Sequence, residues 1–222
     1  AAIRHTVSRG LALMLMLNVP ATLGLMVLAT PIVQLLFERG HFLPADTAAT
    51  AAALRLYAAG LIGYSAVRIA SPTFYAIGES RTPAIVSVSA IAVNVIASVT
   101  LVRAIGFQGL ALGTSIAAIV NAALLLWLLH RRLGGVEGRA LLATLAKVTV
   151  SSLVMAAAAV AIQRAMDRVA PGAHLTPQAI RLGATIGGSV AVLAVMARVL
   201  GVEAFDEAVE MAQARVRKLL GK

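Results

Sequence analysis

The sequence contains no cysteine, so disulfides, thiolate metal sites and cysteine nucleophiles are excluded. Aromatic residues make up only 4%, with three tyrosines and one tryptophan. Acidic residues are scarce: nine, against nineteen lysines and arginines, for a formal net charge of +10. Charged residues of both signs reach 13%, where soluble domains average about 25%. Signatures of catalysis are also missing: there is no H-E-x-x-H, Walker A, G-x-S-x-G or Cys/His cluster. The four histidines, His5, His41, His130 and His174, are scattered over loops and span ends and read as solvated residues rather than ligands. The chain therefore reads as no enzyme, with no catalytic residue, metal or cofactor. Its basic residues form no stripe interleaved with aromatics, which argues against nucleic acid as a partner.

What the chain does have is long apolar runs. No Asp, Glu, Lys or Arg occurs in 11–37, 82–102 or 104–129. About 20 helical residues cross a hydrocarbon core of about 30 Å, so such runs read as membrane spans. The fold class expected is an all-α integral membrane protein with six transmembrane helices, near 10–36, 47–77, 83–104, 109–130, 141–163 and 179–200. Thr82-Pro83 reads as the N-cap and first turn of the third. The last two spans have uncharged cores of only 148–163 and 182–197, so Lys147, Arg164, Arg181 and Arg198 are expected to snorkel outward. After the sixth span, 202–220 is too polar to cross. Val202, Phe205, Val209, Ala212, Val216 and Leu219 give it one apolar face, and its acidic residues precede its basic ones. It reads as an amphipathic interfacial helix on the cytoplasmic leaflet, or as a solvated tail helix packed on a loop. The chain starts without Met and without a cleavable signal, as expected of a segment lying inside a longer protein.

Six spans put both ends on one side. The side with both termini, the turn at 78–82 and the loop at 130–147 holds twelve Lys and Arg; the other holds five, and Arg55 and Arg68 lie within the second span. The positive-inside rule makes the richer side cytoplasmic.

Arg68 is the most informative residue. A charge at a span centre costs at least about 2.5–3.5 kcal/mol, so it normally faces protein or a wet cavity. Tyr57, Tyr64, Arg68, Ser71 and Tyr75 recur at steps of seven, four, three and four and share one helical face. That stripe reads as the wall of a solvated cavity; the alternative is a structural arginine that caps carbonyls or pairs with another segment. Arg55 lies off the stripe and reads as functional or as a residue snorkelling to the outer interface. Ser87, Asn94 and Ser98 share a face of the third span, and Thr114 and Asn121 one of the fourth. They read as interhelical hydrogen-bonding groups or as the lining of a path. Pro20 and Pro72 each remove a helical hydrogen bond, as hinges or without mechanical role. In the sixth span, Gly183-x-x-x-Gly187 and Gly188 are small residues expected to pack against Ala156–Ala159 of the fifth, with homodimerisation as the alternative.

Several short motifs occur in order: Leu35-Leu36-Phe37-Glu38-Arg39-Gly40-His41-Phe42, Asp46-Thr47, Ala53-Leu54, and Tyr57-Ala58-Ala59-Gly60-Leu61. Phe74-Tyr75-Ala76, Thr82-Pro83, Asn94, Gly109-Leu110-Ala111 and Thr114-Ser115 follow. Together, over about 1–135, this set resembles the MurJ (MviN) family of lipid II flippases, within the MOP superfamily. The resemblance implies fourteen spans in two six-helix lobes plus a final helix pair, with the six spans here as the ninth to fourteenth. On that expectation, 1–135 holds four helices of the C-terminal lobe, 136–200 the added pair, and 201–222 the cytoplasmic amphipathic helix. It also implies flipping of an undecaprenyl-pyrophosphate-linked precursor (lipid II) across the bacterial inner membrane by alternating access, for peptidoglycan synthesis. The headgroup would pass a cationic cavity between the lobes, and the lipid tail would lie near the last two helices. The expected partners are that substrate, membrane lipids and the N-terminal lobe of the same protein. Arg68 is no motif position of the family; it comes from the stripe alone. With no phosphate-binding loop, transport would draw on an ion gradient, the membrane potential or substrate supply. The alternatives are another MOP-type transporter, for polysaccharide lipids or drugs, and a non-transporting membrane scaffold.

Overall fold

The structure, a computed structural model, describes residues 2–133, 138–169, 174–202, 204–206 and 208–210. Six long helices make up most of it: α1 (Ala2–Phe37), α2 (Pro44–Ala76), α3 (Arg81–Ile105), α4 (Gln108–Leu133), α5 (Gly138–Val169) and α6 (Leu175–Val199). Every helix except α2 is long and apolar enough to cross a membrane. α2 falls short because Ala, Gly, Ser and Tyr dominate it and it holds Asp46, Arg55 and Arg68. The residues described after Gly201 are helical at 204–206 and 208–210, and most of the expected amphipathic helix lies outside the described residues.

The helix ends follow from local chemistry. Pro44 occupies the first turn of α2, where its missing N–H costs nothing, and the Leu43 N–H donates to Asp46 Oδ2 at 2.9 Å. The α3 start differs from expectation. Arg81 opens the helix after Ser80, and Thr82 is already inside it, donating its hydroxyl to Glu79 Oε2 at 3.0 Å. α6 ends at Gly201, which takes φ +57° where only glycine is unstrained. This lets the Val202 N–H reach back to the Ala197 carbonyl at 2.9 Å.

The helices stand side by side in the order α3, α4, α2, α1, with α5 and α6 packed on the far side of α1. Lipid tails are as apolar as leucine, so the hydrophobic effect does not press such helices together; close backbone approach and interhelical hydrogen bonds must. α4 supplies both. A Cβ added at Gly63 of α2 would stand 2.7 Å from the Ala118 carbonyl carbon, and one at Gly60 2.8 Å from Ser115 Oγ. Ser115 Oγ donates to the Leu56 carbonyl at 2.6 Å. On the opposite flank, Gly109 and Gly113 lie against the α3 backbone at Leu101 and Ser98. α1 joins α2 through Ser65, whose hydroxyl donates to Asn18 Oδ1 at 2.8 Å, and through Arg55, which donates to the Met26 carbonyl at 3.1 Å and to Thr30 Oγ1 at 2.8 Å.

The small-residue expectation for the last helix pair is corrected. Gly183 and Gly187 have nothing near where a Cβ would stand, and only Gly188 meets α5, at Ile162. Thr185 and Ser189 form the buried face of α6, so the glycine pair points away from α5. The anticipated hydrogen-bonding polar groups also bond within their own helices: Ser98 to Asn94 Oδ1 at 3.0 Å and Thr114 to the Leu110 carbonyl at 2.8 Å.

Three of the four basic residues at the ends of the last two spans find partners. Lys147 Nζ donates to the Gly201 carbonyl at 3.0 Å, and the Arg198 guanidinium lies 5.9 Å from the Phe205 ring. Arg181 Nη1 meets Asp167 Oδ1 at 3.2 Å. At the end shared with Lys147, Arg132 bridges to Glu79 at 3.1 Å and so ties α4 to the α2–α3 turn.

The crossing of α2 and α4 gives a direct test. In the full-length protein in detergent, Gly63→Leu is expected to lose about 1–3 kcal/mol of stability by overpacking. Gly187→Leu, on open surface, is expected to change stability by no more than about 0.5 kcal/mol. Equal thermal transitions for the two variants would contradict the close packing described.

Candidate functional site

α2 has two packed faces. Gly60 and Gly63 meet α4, while Arg55, Ser65 and Ile69 meet α1. At 3.6 residues per turn, Tyr57, Tyr64, Arg68, Ser71 and Tyr75 fall between those faces on one side of the helix. All three tyrosines are about half exposed, Arg68 is exposed and Ser71 half-buried. Ile62, Gly63 and Ala66, about half a turn away, line an apolar pocket of about 460 Å³ shared with α1, α4 and α5. α2 thus presents a polar aromatic side and an apolar side, with its packing faces between them.

α4 is arranged the same way. Ile119 and Ala123 line that apolar pocket, and Asn121 lies about 200° round the helix from each, on the side of the tyrosine stripe. The Asn121 Oδ1 is buried without a hydrogen-bond partner among the described residues. An unpaired buried polar atom costs roughly 1–3 kcal/mol, so it marks a place where a donor belongs. Asn94 sits elsewhere. It is half-buried on α3, one turn from the Ser98–Gly113 contact, and accepts from Ser98. The structure therefore brings the five α2 residues onto one surface, sets Asn121 on the same side, and places Asn94 in the α3–α4 seam.

Arg68 makes no hydrogen bond or ion pair with the described residues. Its guanidinium, always protonated and carrying five N–H donors, projects from an unpacked helix face. Arg55 contrasts with it. Bonded to Met26 and Thr30, it braces α1 just before Pro31, a proline inside α1 that the sequence reading did not single out. Pro31 leaves the Val27 carbonyl without its helical donor, as Pro20 does for Met16. α1 runs unbroken through Pro20 and Pro31, and α2 through Pro72.

Further concavities flank the bundle. An apolar groove of about 470 Å³ runs between α1 and α6, backed by Met155 of α5 and closed at one end by Phe205 and Val209. A polar pocket of about 430 Å³ holds Thr30, Gln34, Glu38, Thr47 and Arg55 at the α1–α2 turn. There Thr47 Oγ1 donates to Glu38 Oε2 at 2.6 Å.

If the stripe borders water, a cysteine at position 68 should react with a water-soluble maleimide. The test uses the full-length protein freed of any other cysteine and placed in vesicles. Arg68→Cys is expected to label at least tenfold faster than Ile96→Cys, on the exposed apolar face of α3. Equal rates would make the stripe lipid-facing.

Residues 1–178 match the family model described as "Lipid II flippase MurJ". A protein of Rhizobium meliloti named as a probable lipid II flippase MurJ is 34% identical over 188 residues, 83% of this chain and 35% of its own length. One from Vibrio cholerae with the same name is 35% identical over 126 residues, 57% of this chain and 24% of that protein. The chain thus spans about a quarter to a third of the length of these curated relatives. A solved structure titled lipid II flippase MurJ, inward closed conformation, superposes with a TM-score of 0.64 at 22% identity. The match covers 89% of this chain and 43% of that one, and supports the fold. With several helices apolar enough to cross a membrane and the family model matching four-fifths of its length, the chain belongs to the MurJ family of multi-pass membrane flippases.

Proposed function

We propose that the protein carrying this chain moves lipid II, an undecaprenyl-pyrophosphate-linked precursor, across the bacterial inner membrane by alternating access. This chain supplies the C-terminal part of the carrier. The observation that carries the reading is Arg68 on the exposed tyrosine face of α2, without a partner among the described residues. A pyrophosphate cannot enter hydrocarbon unaided, and arginine matches its oxygens with paired donors. The face that holds Arg68 is left open by α1 and α4, which suits a chamber closed on its other side by the N-terminal lobe. Tyrosines beside the guanidinium offer rings and hydroxyls to a sugar–peptide headgroup. The apolar groove along α1 and α6 offers the lipid tail a route that never leaves hydrocarbon. No covalent step is involved.

On this reading α2 is a sixth span despite its lower apolarity, because its polar side faces the chamber and not lipid. The four helices of 1–135 form part of the C-terminal lobe, 136–200 the added pair, and 201–222 a cytoplasmic interfacial helix. The ends joined by Arg132–Glu79 and Lys147–Gly201 face the cytoplasm, where basic residues concentrate. Pro20 and Pro72 are the proposed hinges, and Asn121 lines the path, whereas Asn94 serves the α3–α4 seam.

Two experiments test this. Cells depleted of their own flippase should grow when given the full-length protein. Arg68→Ala, expressed at equal level, should lower lipid II transport at least about tenfold, the equivalent of one lost charge-assisted hydrogen bond of about 1.5–3 kcal/mol. Arg68→Lys should fall between. Failure of the unmodified protein to rescue would remove the lipid II assignment, and full activity of Arg68→Ala would remove the site. For orientation, His41→Cys should be labelled by an impermeant thiol reagent added outside intact spheroplasts, and Ser80→Cys only after lysis. The reverse pattern would invert the topology.

A further inference from the structure

The apolar groove between α1 and α6 does not end in hydrocarbon. Followed along α1 from Met16 through Gly24 to Ile32, it runs about 24 Å at 1.5 Å per residue. At the Ile32 end a second, polar pocket adjoins the groove, lined by neighbouring residues of α1 and α6. Pro31 and Gln34 of α1 flank Ile32 of the groove, and Leu182 and Thr185 of α6 lie within about one turn of its Ile186. They border a pocket of about 200 Å³ that also holds Gln163 and Asp167 of α5 and Gln178 and Arg181 of α6. Arg181 Nη1 and Asp167 Oδ1 meet there at 3.2 Å.

An apolar trough capped by a polar pocket has the shape of an amphiphile. The charges decide which kind. Among the described residues its lining has one cation and one anion, which balance, and three glutamine amides that donate and accept. A polyprenyl pyrophosphate brings several negative charges and would leave Asp167 facing like charge. A zwitterionic headgroup brings one phosphate for Arg181 and one ammonium for Asp167, and exchanges an internal ion pair for two external ones. We propose that this crevice is a binding site for a zwitterionic phospholipid of the phosphatidylethanolamine type, its headgroup between Arg181 and Asp167 and one acyl chain in the groove. The groove is longer than the roughly 15 Å of one leaflet, half of a core of about 30 Å, so one chain fits without reaching Phe205. The lipid occupies the trough that the proposed function gives to the substrate tail, so loading substrate displaces it. The site itself rests on α1 and α6 lying in lipid, not on transport.

The test is native mass spectrometry of the full-length protein, delipidated and titrated separately with phosphatidylethanolamine, phosphatidylglycerol and undecaprenyl phosphate. Phosphatidylethanolamine is expected to bind at least fivefold more tightly than either. The double variant Asp167→Asn/Arg181→Gln should lose that preference. Gly24→Leu, which narrows the groove and leaves the pocket intact, should weaken all three lipids. Arg132→Gln, at the opposite end, should change nothing. Equal binding by the double variant and the unmodified protein, or preference for either anionic lipid, overturns the proposal. If the double variant unfolds, Gly24→Leu alone decides: unchanged phosphatidylethanolamine affinity also overturns it. Rescue of flippase-depleted cells is scored in parallel, so a failed lipid site with intact rescue leaves the transport reading standing.

Discussion

Everything in this bundle depends on how closely α4 approaches its two neighbours. In lipid there is no gain from hiding leucine against leucine, so helices stay together where backbones touch and polar groups bond across the gap. Gly60 and Gly63 let α2 come within reach of Ser115 and Ala118, and Gly109 and Gly113 let α3 do the same on the other flank. The bond from buried Ser115 to the Leu56 carbonyl adds direction to that contact. Once α2 is locked by that face and by Asn18–Ser65 and Arg55–Thr30 on the other, its rotation is fixed. The Arg68 stripe then has one place to go: outward, on the side opposite the apolar pocket.

This explains how one helix carries two kinds of polar residue with different fates. Arg55 and Ser65 bond to α1 and hold the bundle, whereas Arg68 finds no partner among the described residues. A leftover arginine in a membrane bundle is expensive unless something polar or aqueous meets it. The cost is tolerable if the surface borders a wet chamber. The chain spans only part of its relatives' length, and the exposed stripe is a surface on which the rest of the protein can close.

α5 and α6 follow a different logic. They pack on α1 with few close glycine contacts, and the glycines of α6 at 183 and 187 face outward. Looser packing leaves room, and the room is the apolar trough with its polar cap. Their charged ends are tied instead by Lys147 to Gly201 and Arg181 to Asp167, which sets helix ends without pressing helix middles together. A crevice that admits lipid is what such end-fastened packing produces.

The sequence by itself determined the membrane class, the number of long helices, their approximate limits and the shared face of Tyr57, Tyr64, Arg68, Ser71 and Tyr75. Hydrophobic run length and helical period are local properties, and no partner is needed to read them. Which glycines are contacts was decided only in three dimensions. Gly183-x-x-x-Gly187 and Gly109-x-x-x-Gly113 have the same spacing, yet only the second meets a backbone, because spacing says that a groove exists and not what lies in it. For the same reason Asn18–Ser65 and Arg55–Thr30 were invisible as pairs: 47 and 25 residues separate them, and only the packing of α1 on α2 brings them into hydrogen-bond range.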